Sequence, residues 1–144
     1  MKKIEIDTFL KFPFLSNPHF SPDGTKIAFT VSVPDRETNG YLSDLYLYDL
    51  GKKTVSRVTC SGDAKTWSWT AENTLIFTAA RTAALKKEKE NGTSFLYEIS
   101  PSGGEAQCIT SIPATVTGIR LLPDGRYLLT IRHDNYRDTR KKSY

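Results

Sequence analysis

The chain has 144 residues, of which 38% are hydrophobic and 25% charged, enough for one ordinary domain and too apolar for a disordered segment. The formal net charge of +4 is spread thinly: Lys86, Lys87 and Lys89 alternate with Glu88 and Glu90, and only residues 137–142 are dense in positive charge, with Asp138 among them. That pattern argues against a nucleic-acid partner. No apolar run has the length of a membrane span, and acids stand within the first seven residues where a signal peptide would not carry them, so a cytoplasmic location is the expectation.

Seven Tyr, seven Phe and two Trp favour strands over helices. In chain order, strands are expected near 18–21, 26–32, 44–50 and 54–59, then near 66–70, 74–80, 94–100 and 105–110, and last near 117–122 and 126–132. Loops join the second and third strands of each set at residues 34–43 and 81–94. The second loop holds strong helix formers from Thr82 to Glu90 and then a stop at Asn91-Gly92, so a short helix is expected there.

These elements repeat. Residues 18–30, 67–78 and 119–130 align on their turns, with Gly24, Asn73 and Gly125 in one place at separations of 49 (73 − 24) and 52 (125 − 73). Ser21-Pro-Asp-Gly24 is a tight turn in which Pro presets φ and Gly supplies a positive one; Asn73 is the non-glycine substitute that best tolerates that conformation. A second pair of segments aligns Tyr48 with Tyr97, 49 apart (97 − 48), and Thr59 with Thr110, 51 apart (110 − 59). Four short antiparallel strands recurring at about 50 residues mark β-propeller blades. The fold expected is therefore all-β, a propeller fragment of about two and a half four-stranded antiparallel blades, at about 15–62, 63–113 and 114–144. Propellers close with about four to eight blades. The chain is thus expected to be a piece of a longer protein, with sticky apolar faces that favour self-association.

Candidate chemistry is sparse. Cys60 and Cys108 form no CxxC pair and no His or Cys cluster has zinc spacing, so no metal and no other cofactor is expected; two free thiols are the simple reading, with a disulfide left open. His19 aligns with Ser68 and Arg120 in a polar slot between apolar neighbours, read as structural or surface. His133 stands beside Asp134 with no nucleophile, which is no catalytic constellation. Trp67 and Trp69, two apart, share a strand face and are read as core between blades. Arg81, at a strand end, is the one candidate contact to a substrate carboxylate or a neighbouring domain, weighed against solvated surface. No catalytic residue is assigned: Gly-x-Ser-x-Gly is absent.

The stretch Leu15-Ser-Asn-Pro-His-Phe-Ser-Pro-Asp-Gly-Thr-Lys-Ile-Ala-Phe29 resembles the start of the propeller in prolyl oligopeptidase-family serine peptidases, of the acylaminoacyl peptidase and dipeptidyl aminopeptidase type. Leu45-Tyr-Leu-Tyr-Asp49, Gly103-Gly-Glu-Ala106 and Phe77-Thr-Ala-Ala-Arg81 fit the same resemblance, which spans essentially the whole chain. It implies a parent protein with a C-terminal α/β-hydrolase domain and a Ser-Asp-His triad, both outside this sequence, that hydrolyses short or N-acylated peptides while the propeller filters substrates. The implied partners are the remaining blades, the hydrolase domain and a peptide substrate. Ser-Pro-Asp-Gly blades also occur in TolB-like propellers, so a non-catalytic propeller that binds proteins is the alternative, and an oligomer built from half-rings is a third.

Overall fold

The computed structural model describes residues 6–132. His133, residues 137–142 and the expected remainder of the third blade lie outside them. A 3₁₀ turn, Ile6–Lys11, leads into β1 (Phe14–Phe20), β2 (Lys26–Asp35), β3 (Gly40–Asp49) and β4 (Thr54–Arg57), which form one antiparallel sheet in sequential order. β5 (Trp67–Trp69), β6 (Leu75–Thr78), β7 (Ser94–Ile99) and β8 (Gln107–Ile112) form a second sheet of the same order, with α1 (Ala83–Glu90) between β6 and β7. β9 (Thr115–Leu121) and β10 (Tyr127–Arg132) form a two-stranded third sheet. These are two complete propeller blades and the inner half of another.

The blade turns are built as their sequences require. Gly24, Asn73 and Gly125 have φ of 71°, 61° and 82°. Each donates its N–H to the residue three back, Ser21, Thr70 and Leu122, at 2.8, 3.2 and 3.0 Å. Asn73 does a second job: its Oδ1 accepts the Asp23 N–H at 3.0 Å, joining the turns of adjacent blades. The Asp23 carboxylate accepts the Ser21 hydroxyl at 2.6 Å and the Thr25 N–H and hydroxyl at 2.9 and 2.8 Å. Those bonds, the Ser21 hydroxyl foremost, hold its pKa down at about 2. An unfolded Asp titrates near ~3.9. The folded pKa is the lower one, so the contribution of this turn is complete above the unfolded value and is lost as pH falls through about 2. A carboxyl-carbon NMR titration of Asp23 is expected to show a midpoint near 2; a midpoint near ~4 would mean that the turn is not closed.

The core lies between the blades. Ala28, Leu45 and Leu47 of the first blade pack with Trp67, Trp69, Leu75, Phe77, Tyr97 and Ile99 of the second, all buried. The two indoles also cross the junction as donors: Trp67 Nε1 to Thr30 Oγ1 at 2.9 Å and Trp69 Nε1 to the His19 carbonyl at 3.1 Å. The second blade, covered on both sides, buries every residue of β6. In β2, Ala28 and Thr30 are buried and Ile27, Phe29 and Val31 are only half-buried. The continuous apolar runs of the sequence are thus buried on both faces only where a blade has two neighbours.

Two expectations are corrected. The segment 34–43 is no loop: β2 and β3 remain paired from Lys26↔Asp49 out to Asp35↔Gly40, closed by a four-residue turn with Asn39 at φ 49°. Pro34 argues against a strand, but β1 pairs with β2 only as far as Ser32, so beyond it one side of β2 is an edge and tolerates the missing N–H. The Tyr48–Tyr97 alignment is off by two residues. Phe29 stacks on Tyr46 (6.1 Å, 28°) as Phe77 stacks on Tyr97 (5.9 Å, 27°), so Tyr46 is the counterpart, 51 before Tyr97 (97 − 46). Thr59 and Thr110 have the same spacing. Leu-Tyr-Leu-Tyr puts two tyrosines on one strand face, and letter matching cannot choose between them.

Candidate functional site

The innermost strands of a propeller surround its central channel. Here they are β1, β5 and β9, and they bound a cavity of about 460 Å³. His19 pairs with Ala28, Ser68 with Ile76 and Arg120 with Leu128, the same rung of each sheet. The polar slot of the repeat is therefore a row of three side chains, all of which line this cavity beside Trp67 and Trp69. A bulge between Ser16 and His19, with Asn17 at φ 56°, re-aims the end of β1. The His19 ring stands edge-on to Trp67 (5.7 Å, 88°), and its Nδ1 lies 3.2 Å from the Asn17 carbonyl. A carbonyl only accepts, so Nδ1 carries the hydrogen. Sequence reading found this slot and read it as structural or surface; which strand of a blade lies innermost is set by the tertiary stack.

Arg81 is exposed and lies three residues beyond the end of β6. Its Nη1 donates to the Ala106 carbonyl at 3.1 Å, and its guanidinium sits 5.8 Å from the centre of the Tyr97 ring. It thus ties the approach to β8 to β7 within its own blade. Burial pushes the Tyr97 phenol above its ordinary pKa, with Arg81 opposing. The helix expected in this excursion is present: Thr82 Oγ1 accepts the Leu85 N–H at 3.2 Å, and Gly92 follows its end at φ 92°. Lys89 reaches Asp63 at 2.9 Å, and Asp63 also accepts the Ala80 N–H at 2.8 Å. This pins the helix to the link between the first two blades.

Sequence reading missed the group that locks that link. Asp44, buried, accepts Arg57 Nη2 at 2.6 Å, the Thr59 hydroxyl at 2.9 Å and the Gly62 N–H at 3.1 Å. The bond to Asp44 raises the Arg57 pKa further, so the guanidinium stays charged. In the second blade Phe95 and Cys108 replace Asp44 and Arg57 at the positions 51 residues on, so the repeat offered no signal for the pair (95 − 44; 108 − 57). Asp44→Ala is expected to lower stability by about 2 kcal/mol in urea unfolding, since it strands three donors, one of them half-exposed. No loss would show that the link is held elsewhere.

Cys60 and Cys108 are exposed and unbridged. Among the described residues no three His, Cys, Asp or Glu side chains group to hold a metal ion, and no helix is long and apolar enough to cross a membrane.

No family model matches the chain. It is 30% identical over 133 residues to the uncharacterized peptidase YuxL of Bacillus subtilis; the match takes in 90% of this chain and 19% of YuxL. The chain thus spans about a fifth of that relative's length. In structure it is similar to Pyrococcus horikoshii acylaminoacyl peptidase, with TM-score 0.65 and 18% identity over 90% of this chain and 20% of the other. It is also similar to the β-propeller domain of the Trilobed protease from Pyrococcus furiosus, with TM-score 0.60 and 17% identity over 85% and 35%. The chain is a run of β-propeller blades that resembles a peptidase in sequence and, in fold, the propeller blades of acylaminoacyl peptidase and of the Trilobed protease.

Proposed function

We propose that these blades open a substrate-admitting propeller in a cytoplasmic serine peptidase of the acylaminoacyl peptidase kind, acting on short peptides. The observation that carries the reading is the 30% identity to a peptidase along 133 residues, together with the blade architecture. The chemistry belongs to a separate hydrolase domain, since the sequence holds no Gly-x-Ser-x-Gly. The blades contribute positioning and exclusion: a packed junction at Trp67 and Trp69 that keeps the wall rigid, and an inner row of polar side chains along the channel. Arg81 contacts the neighbouring domain or a substrate carboxylate through the guanidinium edge that Ala106 does not occupy.

The test is hydrolysis by the longer protein that carries these blades. N-acetylalanyl p-nitroanilide should be cleaved and the activity abolished by a serine-directed fluorophosphonate. A protein that cleaves no peptide substrate and takes up no fluorophosphonate would leave a binding module instead.

A further inference from the structure

We propose that the inner-strand cavity holds the free C-terminal carboxylate of a short peptide, with Arg120 as its main anchor. The choice of a peptide rests on the reading above; the anion-binding character of the cavity does not. Three observations converge. The cavity of about 460 Å³ has the size of a small-ligand site. Its lining includes Arg120, His19, Asn17 and Ser68 and no carboxylate. Arg120 is exposed there, and among the described residues no acid pairs with it.

A guanidinium presents two parallel N–H donors that match a planar carboxylate, and such charge-assisted bonds are about twice as strong as neutral ones. One guanidinium suits one negative charge better than the two of a phosphate. Trp67 and Trp69 form the apolar wall, already immobilised by their bonds to Thr30 and His19. They offer a surface for the last side chain of the peptide at little cost in entropy. His19, held by Asn17 and by the edge of Trp67, flanks the same space. The repeat itself supplies this arrangement. Equivalent rungs of successive inner strands border one cavity, so polar residues that are scattered in sequence become one row.

The experiment is a titration of the 144-residue chain, by calorimetry and amide NMR, with three probes: N-acetyl-Ala-Leu, the same peptide as its C-terminal amide, and inorganic phosphate. The free acid should bind and shift the signals of Ser68 and Arg120, with the amide weaker by about tenfold or more. Arg120→Gln should lose a similar factor with an unchanged melting curve, and Arg120→Lys should keep part of it. Equal binding of acid and amide, full affinity in Arg120→Gln, or phosphate bound more tightly than the peptide would overturn the proposal. Failure here leaves hydrolysis by the longer protein intact, and absence of hydrolysis with the acid still bound leaves the carboxylate site intact.

Discussion

Trp67→Ala is expected to cost about 3–5 kcal/mol. Trp67 sits where the two complete blades meet, 4% exposed, and it both fills the junction and donates to Thr30 across it. Truncation leaves a cavity that stiff strands on either side cannot close, and leaves the Thr30 hydroxyl without its donor. Whole domains are stable by only about 5–15 kcal/mol, so the Ala variant loses a large share of its stability. Trp67→Phe is the variant that keeps the account testable: it retains most of the volume, loses the hydrogen bond and should cost about 1–2 kcal/mol. Urea unfolding reads both. A cost below about 1 kcal/mol for Trp67→Ala would mean that the blades do not stack through this residue.

The second large effect concerns association. Blade two buries Leu75, Phe77 and Tyr97 against Ala28, Leu45 and Leu47 of blade one. The counterparts of the first group, Ile27, Phe29 and Tyr46, lie half-buried on the far face of blade one. At the other end Leu128, the counterpart of Ala28, is 55% exposed. The two faces are the two halves of one kind of blade interface, so copies of this chain should stack head to tail, a heterologous contact that does not stop at two. In sedimentation the 144-residue chain should show a weight-average mass that rises with concentration. The variant Leu128→Lys should stay monomeric with an unchanged circular dichroism spectrum. A wild-type chain that is monomeric across the concentration series would contradict this. In a longer chain that supplies the neighbouring blades, the faces are covered and the association should vanish.

The blades were legible because their signals are local. Ser21-Pro-Asp-Gly24 and its copies fix three turns, and all three turn residues have the positive φ that their identities require. The helix ended at Asn91-Gly92 for the same reason. Trp67 and Trp69 could be placed between blades because two aromatic residues two apart on a strand share a face, and the only face large enough to hold both is a covered one. What the sequence did not disclose depends on packing between distant residues. The length of the first hairpin turned on where β1 stops pairing with β2, since that decides whether Pro34 is tolerated. Asp44 and Arg57 form a pair only because Thr59 and Gly62 fold back over them. The row of His19, Ser68 and Arg120 was visible as an alignment, but its meaning waited on which strands face the axis. Arg81 was singled out as a contact to a substrate carboxylate or a neighbouring domain; its bonds to Ala106 and Tyr97 give it a place in its own blade first.

The central claim is that these blades serve a peptidase, and the coding sequence immediately downstream of the Tyr144 codon tests it most directly. The account predicts an open frame that adds the two outer strands of the third blade, then further blades at intervals of about 50 residues, and then a Gly-x-Ser-x-Gly on a strand-to-helix turn. A frame that closes the propeller and ends without that motif would contradict it, and would leave a propeller that binds and performs no chemistry.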